Sequence, residues 1–217
     1  MKAPYIKLDK TWRNSFFLMM GSVIIMGFGV SLLKVTNLGT DPYSAMNYGI
    51  SAKLGLSLGT YQLFLNLALL LCVLILDRSL IGTGTVGNML LVGYSADFCT
   101  FILNQVIHIP QELSLAVRIG VLIPALVIFV IAAACYMQSG HGTSPYDAIP
   151  FIINNKLEQK FKRKDMFKII RLCYDALVTC IAILVSGEWG VTTLLMVLLL
   201  GPTVEFAGNV LHRNQRR

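Results

Sequence analysis

Gly39-Thr40-Asp41-Pro42-Tyr43 returns further along the chain as Gly142-Thr143-Ser144-Pro145-Tyr146. The same offset carries Ala45 onto Ala148, Ile50 onto Ile153, Lys53 onto Lys156 and Leu54 onto Leu157, giving eight identities in sixteen positions, where background composition supplies roughly one. At a slightly larger offset Gly82, Thr85, Leu90, Leu91, Gly93 and Phe98 meet Gly190, Thr193, Leu198, Leu199, Gly201 and Phe206, and Asp97 meets Glu205. The extra residues of the second copy are expected in the basic segment between the two blocks, where insertion costs little. The chain thus reads as two homologous repeats, residues 15–104 and 114–211, joined by 105–113 and flanked by an N-terminal segment 1–14 and a tail 212–217.

Working outward, the 217 residues are 55% hydrophobic and only 13% charged, with a mean hydropathy of +0.68, which is far from soluble usage. Charge crowds into Met1 to Arg13, Lys156 to Arg171 and His212 to Arg217 and leaves long apolar runs between, as a bilayer sorts a chain. Six runs suit transmembrane helices: Ser15–Lys34, Thr60–Asp77, Thr83–Asn104, Ser114–Gln138, Met166–Ser186 and Val191–Leu211. Pro42–Leu54 and Pro145–Leu157 are shorter and suit re-entrant or half helices. The expected fold is therefore an all-α polytopic membrane bundle, each repeat holding three spans and one short helix. Three spans per repeat make the copies inverted; the alternative, with the short helices crossing, is eight helices in parallel repeats.

The net charge of +7 is explained by topology. Lys and Arg of the N-terminus, the Lys156–Lys168 loop and the tail belong on the cytoplasmic side. Basic segments without interleaved aromatics or a nucleic-acid motif exclude nucleic acid as the leading partner and favour the lipid bilayer. Cys72, Cys99, Cys135, Cys173 and Cys180 fall in apolar segments without metal or disulfide spacing. No GxSxG, HExxH or Cys/His constellation appears, so no enzyme, metal site or cofactor is expected.

In each GTxPY turn proline suits the first helical position, and Asp41 or Ser144 is a good N-cap. Asp147 favours the second helix start through the macrodipole. The structural reading is helix initiation. The functional one points both helix N-termini at one central site for a small anionic or carboxylate-bearing solute, with Thr40, Asp41, Tyr43, Thr143, Ser144 and Tyr146 as binding residues. Thr40 and Thr143 are expected to turn their hydroxyls toward a shared polar cavity, since a cap alone requires neither. Asp97 and Glu205, carboxylates within otherwise apolar spans, are the candidates for ion or proton coupling. Asp175 finds Asn66 near its equivalent place, which fits an interhelical hydrogen-bonding pair. His141 has Leu38 as counterpart and reads as a loop residue.

The first span ending GFGVSLLK (27–34), the GTDPYSA turn (39–45), its echo GHGTSPYDAIP (140–150) and the closing GEWGVTT (187–193) resemble the YczE/YyaS/YitT family of bacterial membrane proteins, most of all its YczE branch. The similarity runs from Phe16 to Leu211. It implies a bacterial plasma-membrane location and a duplicated bundle, and it suggests transport without naming a substrate. The functions expected are a small-solute permease or secondary transporter, or alternatively a non-transporting accessory protein of an envelope or biosynthetic complex.

Overall fold

The computed structural model describes residues 12–110, 113–161 and 166–202. Every regular element among them is helical. Eight α-helices follow one another: α1 (Trp12–Thr36), α2 (Pro42–Leu54), α3 (Leu58–Leu76), α4 (Thr83–Phe101), α5 (Leu115–Gln138), α6 (Pro145–Phe161), α7 (Phe167–Leu184) and α8 (Val191–Pro202). A 3₁₀ turn at Arg78–Leu80 precedes α4, and a π turn at Ile102–Val106 extends it.

Among the described residues four helices are long and apolar enough to cross a membrane: α1, α3, Thr83–Val106 and α5. Their outer faces carry large apolar side chains such as Phe17, Phe64, Ile75, Ile123 and Ile131, where hydrocarbon would meet them. The fifth expected segment is helical as α7, but Lys168, Arg171 and Asp175 along its length keep it out of the helices apolar enough to cross. The sixth begins as α8, and its continuation past Pro202 lies outside the described residues. The 13 residues of α2 make a helix about 20 Å long, too short for a hydrocarbon layer of about 30 Å.

Helix directions follow from close approaches. Phe16 lies against His141 and Gly29 against Phe129, so α1 and α5 run antiparallel. Gly87 lies against Met19 while Gly27 lies against Val92 and Ala96, so α1 and α4 run parallel. Met19, Val23, Val30, Ala96, Phe129, Ala133 and Tyr136 form the core these three helices share. A second, smaller apolar cluster joins Ala45 and Met46 of α2 to Tyr146 of α6 and Val178 and Ala182 of α7.

The two GTxPY turns are tied down by one contact made twice. Each docks on the start of a helix from the other half of the chain. Thr193 donates its hydroxyl to the Thr40 carbonyl at 2.7 Å and accepts the Gly190 N–H at 3.1 Å. Thr85 donates to the Thr143 carbonyl at 2.8 Å and accepts the Gly82 N–H at 3.0 Å. The Thr40 N–H bonds the Glu188 carbonyl and the Thr143 N–H the Leu80 carbonyl, while Leu38 and His141 carbonyls accept from Thr192 and Gly84. Gly39 and Gly142 adopt left-handed backbone, with φ of +100° and +94°. A Cβ at Gly142 would lie 2.5 Å from the Gly82 nitrogen, and one at Gly39 equally close to the Gly190 nitrogen.

Gly142→Ala therefore combines a disfavoured φ with an overlap that backbone cannot relieve, and is expected to cost about 3 kcal/mol. Gly120 on α5 faces open space, so Gly120→Ala should leave stability unchanged or raise it by about 0.5–1 kcal/mol. Thermal melts of the two purified variants in one detergent check the contrast. Equal melting temperatures would remove the packing account of the turn.

Candidate functional site

Where the turns end, the polar chemistry begins. Asp41 is the N-cap of α2, its Oδ1 accepting from the Ser44 N–H at 3.0 Å. In α6 the roles of the two side chains are exchanged. Ser144 caps the helix by accepting the Asp147 N–H at 3.0 Å, and its hydroxyl donates to Asp147 Oδ2 at 2.6 Å. Both helix N-termini thus carry a buried carboxylate of the chain itself, placed where the helix dipole stabilises it.

The turn tyrosines bring the two segments together. The Tyr43 and Tyr146 rings stand 4.4 Å apart, and Tyr174 packs on the other side of Tyr146 at 4.8 Å. Tyr43 donates to Asn66 Oδ1 of α3 at 2.8 Å, and Tyr146 donates to Asp175 Oδ1 of α7 at 2.6 Å. Asp175 and Asn66 do not bond each other as a pair; each instead accepts from one turn tyrosine.

Arg171 links the second half of this network. Its Nε bonds Asp175 Oδ2 at 2.7 Å and its Nη1 bonds Asp147 Oδ1 at 2.6 Å, while the guanidinium lies over the Tyr146 ring. Asp175 is wholly buried, and Arg171 and Asp147 nearly so. Two charge-assisted contacts and the tyrosine and serine hydroxyls satisfy these groups well. From the sequence Arg171 counts merely as the end of a cytoplasmic charge run. Its i, i+4 spacing to Asp175 on α7 is the signal that could have singled it out.

The other expected site residues fare differently. Thr40 is fully buried, its hydroxyl near the Asp41 and Glu188 carbonyls at 3.4 and 3.5 Å. The Thr143 hydroxyl is buried without a hydrogen-bond partner among the described residues. Asp97 stands apart from the turns and caps α3, accepting the Gly59 N–H at 2.7 Å. Glu205 lies outside the described residues. His141 is a buried loop residue whose Nδ1 lies 2.9 Å from the Thr83 hydroxyl, with Trp12 and Phe16 edge-on to its ring. An apolar groove between α1 and α5, lined by Phe17, Ile25, Ile128 and Cys135, presents little polarity beyond Ser22. That hydroxyl is already bonded to the Leu18 carbonyl, so the groove suits a lipid chain better than a polar solute.

Residues 13–209 match a family of unknown function, DUF6198. This chain belongs to that family. Among its relatives, the uncharacterized protein YyaS of Bacillus subtilis (strain 168) is 31% identical over 182 residues, covering 82% of this chain and 85% of YyaS. The uncharacterized membrane protein YczE of the same organism is 26% identical over 152 residues, covering 70% of this chain and 67% of YczE. Of these two, YyaS is the more similar, although the turn motifs had pointed to YczE. No solved structure matches. The family and the apolar helices together identify a membrane protein.

Removing one partner of a buried ion pair strands the rest. Arg171→Met leaves Asp147 and Asp175 uncompensated and is expected to lower stability by about 3–5 kcal/mol, whereas Asp97→Ala, which removes one helix-end bond, should cost about 1 kcal/mol. Melting curves and folded yield of the two variants test the ranking. A harmless Arg171→Met would show that the network contributes nothing to the fold.

Proposed function

We propose that this chain is a small-solute permease of the bacterial plasma membrane, built from two inverted repeats, with its site where the two GTxPY turns meet. The observation that carries the reading is the Tyr43–Tyr146 contact above the buried Arg171–Asp147–Asp175 cluster. A bundle that merely has to pack needs no such charges, and ionisable groups among apolar helices mark solute or ion pathways by default. Inversion is supported by the opposite directions of α1 and α5, the first helix of each copy, and by the reciprocal docking of each turn on the opposite copy. Short helices ending near the middle of a repeat interface are a recurrent device for solute binding.

An anionic solute is the weaker choice of ligand. The N-terminus of α2 already holds Asp41 and that of α6 holds Ser144 with Asp147, so the positive helix ends are occupied. Three carboxylates against one guanidinium favour a neutral or positively charged solute. Both termini and the Lys156–Lys168 loop are assigned to the cytoplasm from the distribution of Lys and Arg.

Two measurements test this reading. Single cysteines introduced in the tail and the basic loop should resist a membrane-impermeant reagent applied from outside, and modification there would reverse the topology. A thermal-shift screen against small metabolites should yield stabilising solutes, worth about 2.7 kcal/mol at a hundred times the dissociation constant. Tyr146→Phe, which removes the donor to Asp175, should weaken that shift. A wild-type protein that no solute stabilises, and that moves none across vesicles, is not a permease.

A further inference from the structure

Charge is unevenly shared between the two turns. Asp147 and Asp175 divide Arg171 between them and receive the Ser144 and Tyr146 hydroxyls besides. Asp41 is as deeply buried, 5% exposed, yet no ion pair reaches it among the described residues. One oxygen takes the Ser44 N–H, and the other, Oδ2, has no hydrogen-bond partner among the described residues. Burial acts on this carboxylate most and Ser44 of its own helix next, with the negative charges of Asp175 on α7 and Asp147 on α6 as lesser influences. A buried carboxylate in this setting is one positive charge short.

A second observation comes from the facing turn, where the Thr143 hydroxyl is likewise buried and has no hydrogen-bond partner among the described residues. Buried polar groups in folded proteins are satisfied as a rule. An orphan carboxylate oxygen on one turn and an orphan hydroxyl on the facing one are hard oxygen donors, the kind a small cation takes.

We propose that Asp41 binds one small monovalent cation, a proton or a sodium ion, beside the contact between the two turns. The site deepens the permease reading by naming the coupling ion's carboxylate as Asp41 rather than Asp97 or Glu205. Its occupation halves the excess negative charge of three carboxylates set against one guanidinium. Its counterpart Ser144 shows that a serine caps the same position in the other turn, so Asp41→Ser removes the charge while keeping the cap.

The test measures melting of the purified protein in detergent, without any flux. In one arm sodium replaces choline at constant pH and ionic strength; in the other the pH falls from mildly alkaline to mildly acidic in choline. One arm should raise the wild-type melting temperature by roughly 5 °C or more at about a hundred times the dissociation constant, and Asp41→Ser should abolish that rise. Asp41→Asn serves if the serine variant folds poorly. A wild type indifferent to both cations, a response that survives in either Asp41 variant, or one lost instead in Asp97→Asn overturns the proposal. Vesicle flux on the same preparations separates the two claims: binding without flux removes the permease and leaves the site, and flux without a cation response removes the site alone.

Discussion

A helix that stops inside an apolar bundle exposes peptide groups that no water is there to satisfy, and the rest of this structure depends on how that is resolved. The solution is a threonine hydroxyl used in both directions. Thr85 and Thr193 each accept an N–H from their own helix start and pass a hydrogen bond to the carbonyl of a distant turn. Each hydroxyl thus uses its one donor and one of its acceptor lone pairs, and the facing glycines let the backbones approach closely enough for it. α2 and α6 can then begin within the protein without stranding their entry turns.

Once the turns are held, their side chains have little freedom. Pro42 and Pro145 set the helix starts, and the tyrosines that follow are delivered to a common contact. The two halves resolve the same geometry with different chemistry. One tyrosine meets an amide, Asn66, and the other a carboxylate, Asp175, with Arg171 beside it. The scaffold is shared while the ion pairs lie on one side, an arrangement in which one half can specialise without unsettling the other.

Most of the helix plan was legible in the chain. α2 begins and ends at Pro42 and Leu54 as read, because a proline start and a Gly55 stop in left-handed backbone are local signals. α6 runs on past Leu157 to Phe161, since nothing in that basic stretch breaks a helix. The site was legible in part. Tyr43, Tyr146, Asp41 and Ser144 stood out through the repeat; the structure puts the two tyrosine rings in contact and uses Asp41 and Ser144 as the caps of α2 and α6. Arg171 did not, because an arginine close to a basic loop looks like a topology signal until its partners across the bundle are known. Thr85 and Thr193 were visible as identical residues, but their use lies in contacts between segments remote in the chain, which no local pattern encodes.

The reciprocal docking sets an order of assembly during synthesis. Thr85 is separated from its acceptor at Thr143 by 58 residues, with the helix bearing the threonine made first. Thr40, by contrast, must wait for Thr193, 153 residues later. At translation rates of about 5–20 residues per second, that is roughly ten to thirty seconds. Throughout that interval the first turn has left the ribosome with its carbonyl unsatisfied, so the nascent chain needs either water at the insertion site or a temporary host for α2 until the last helix arrives.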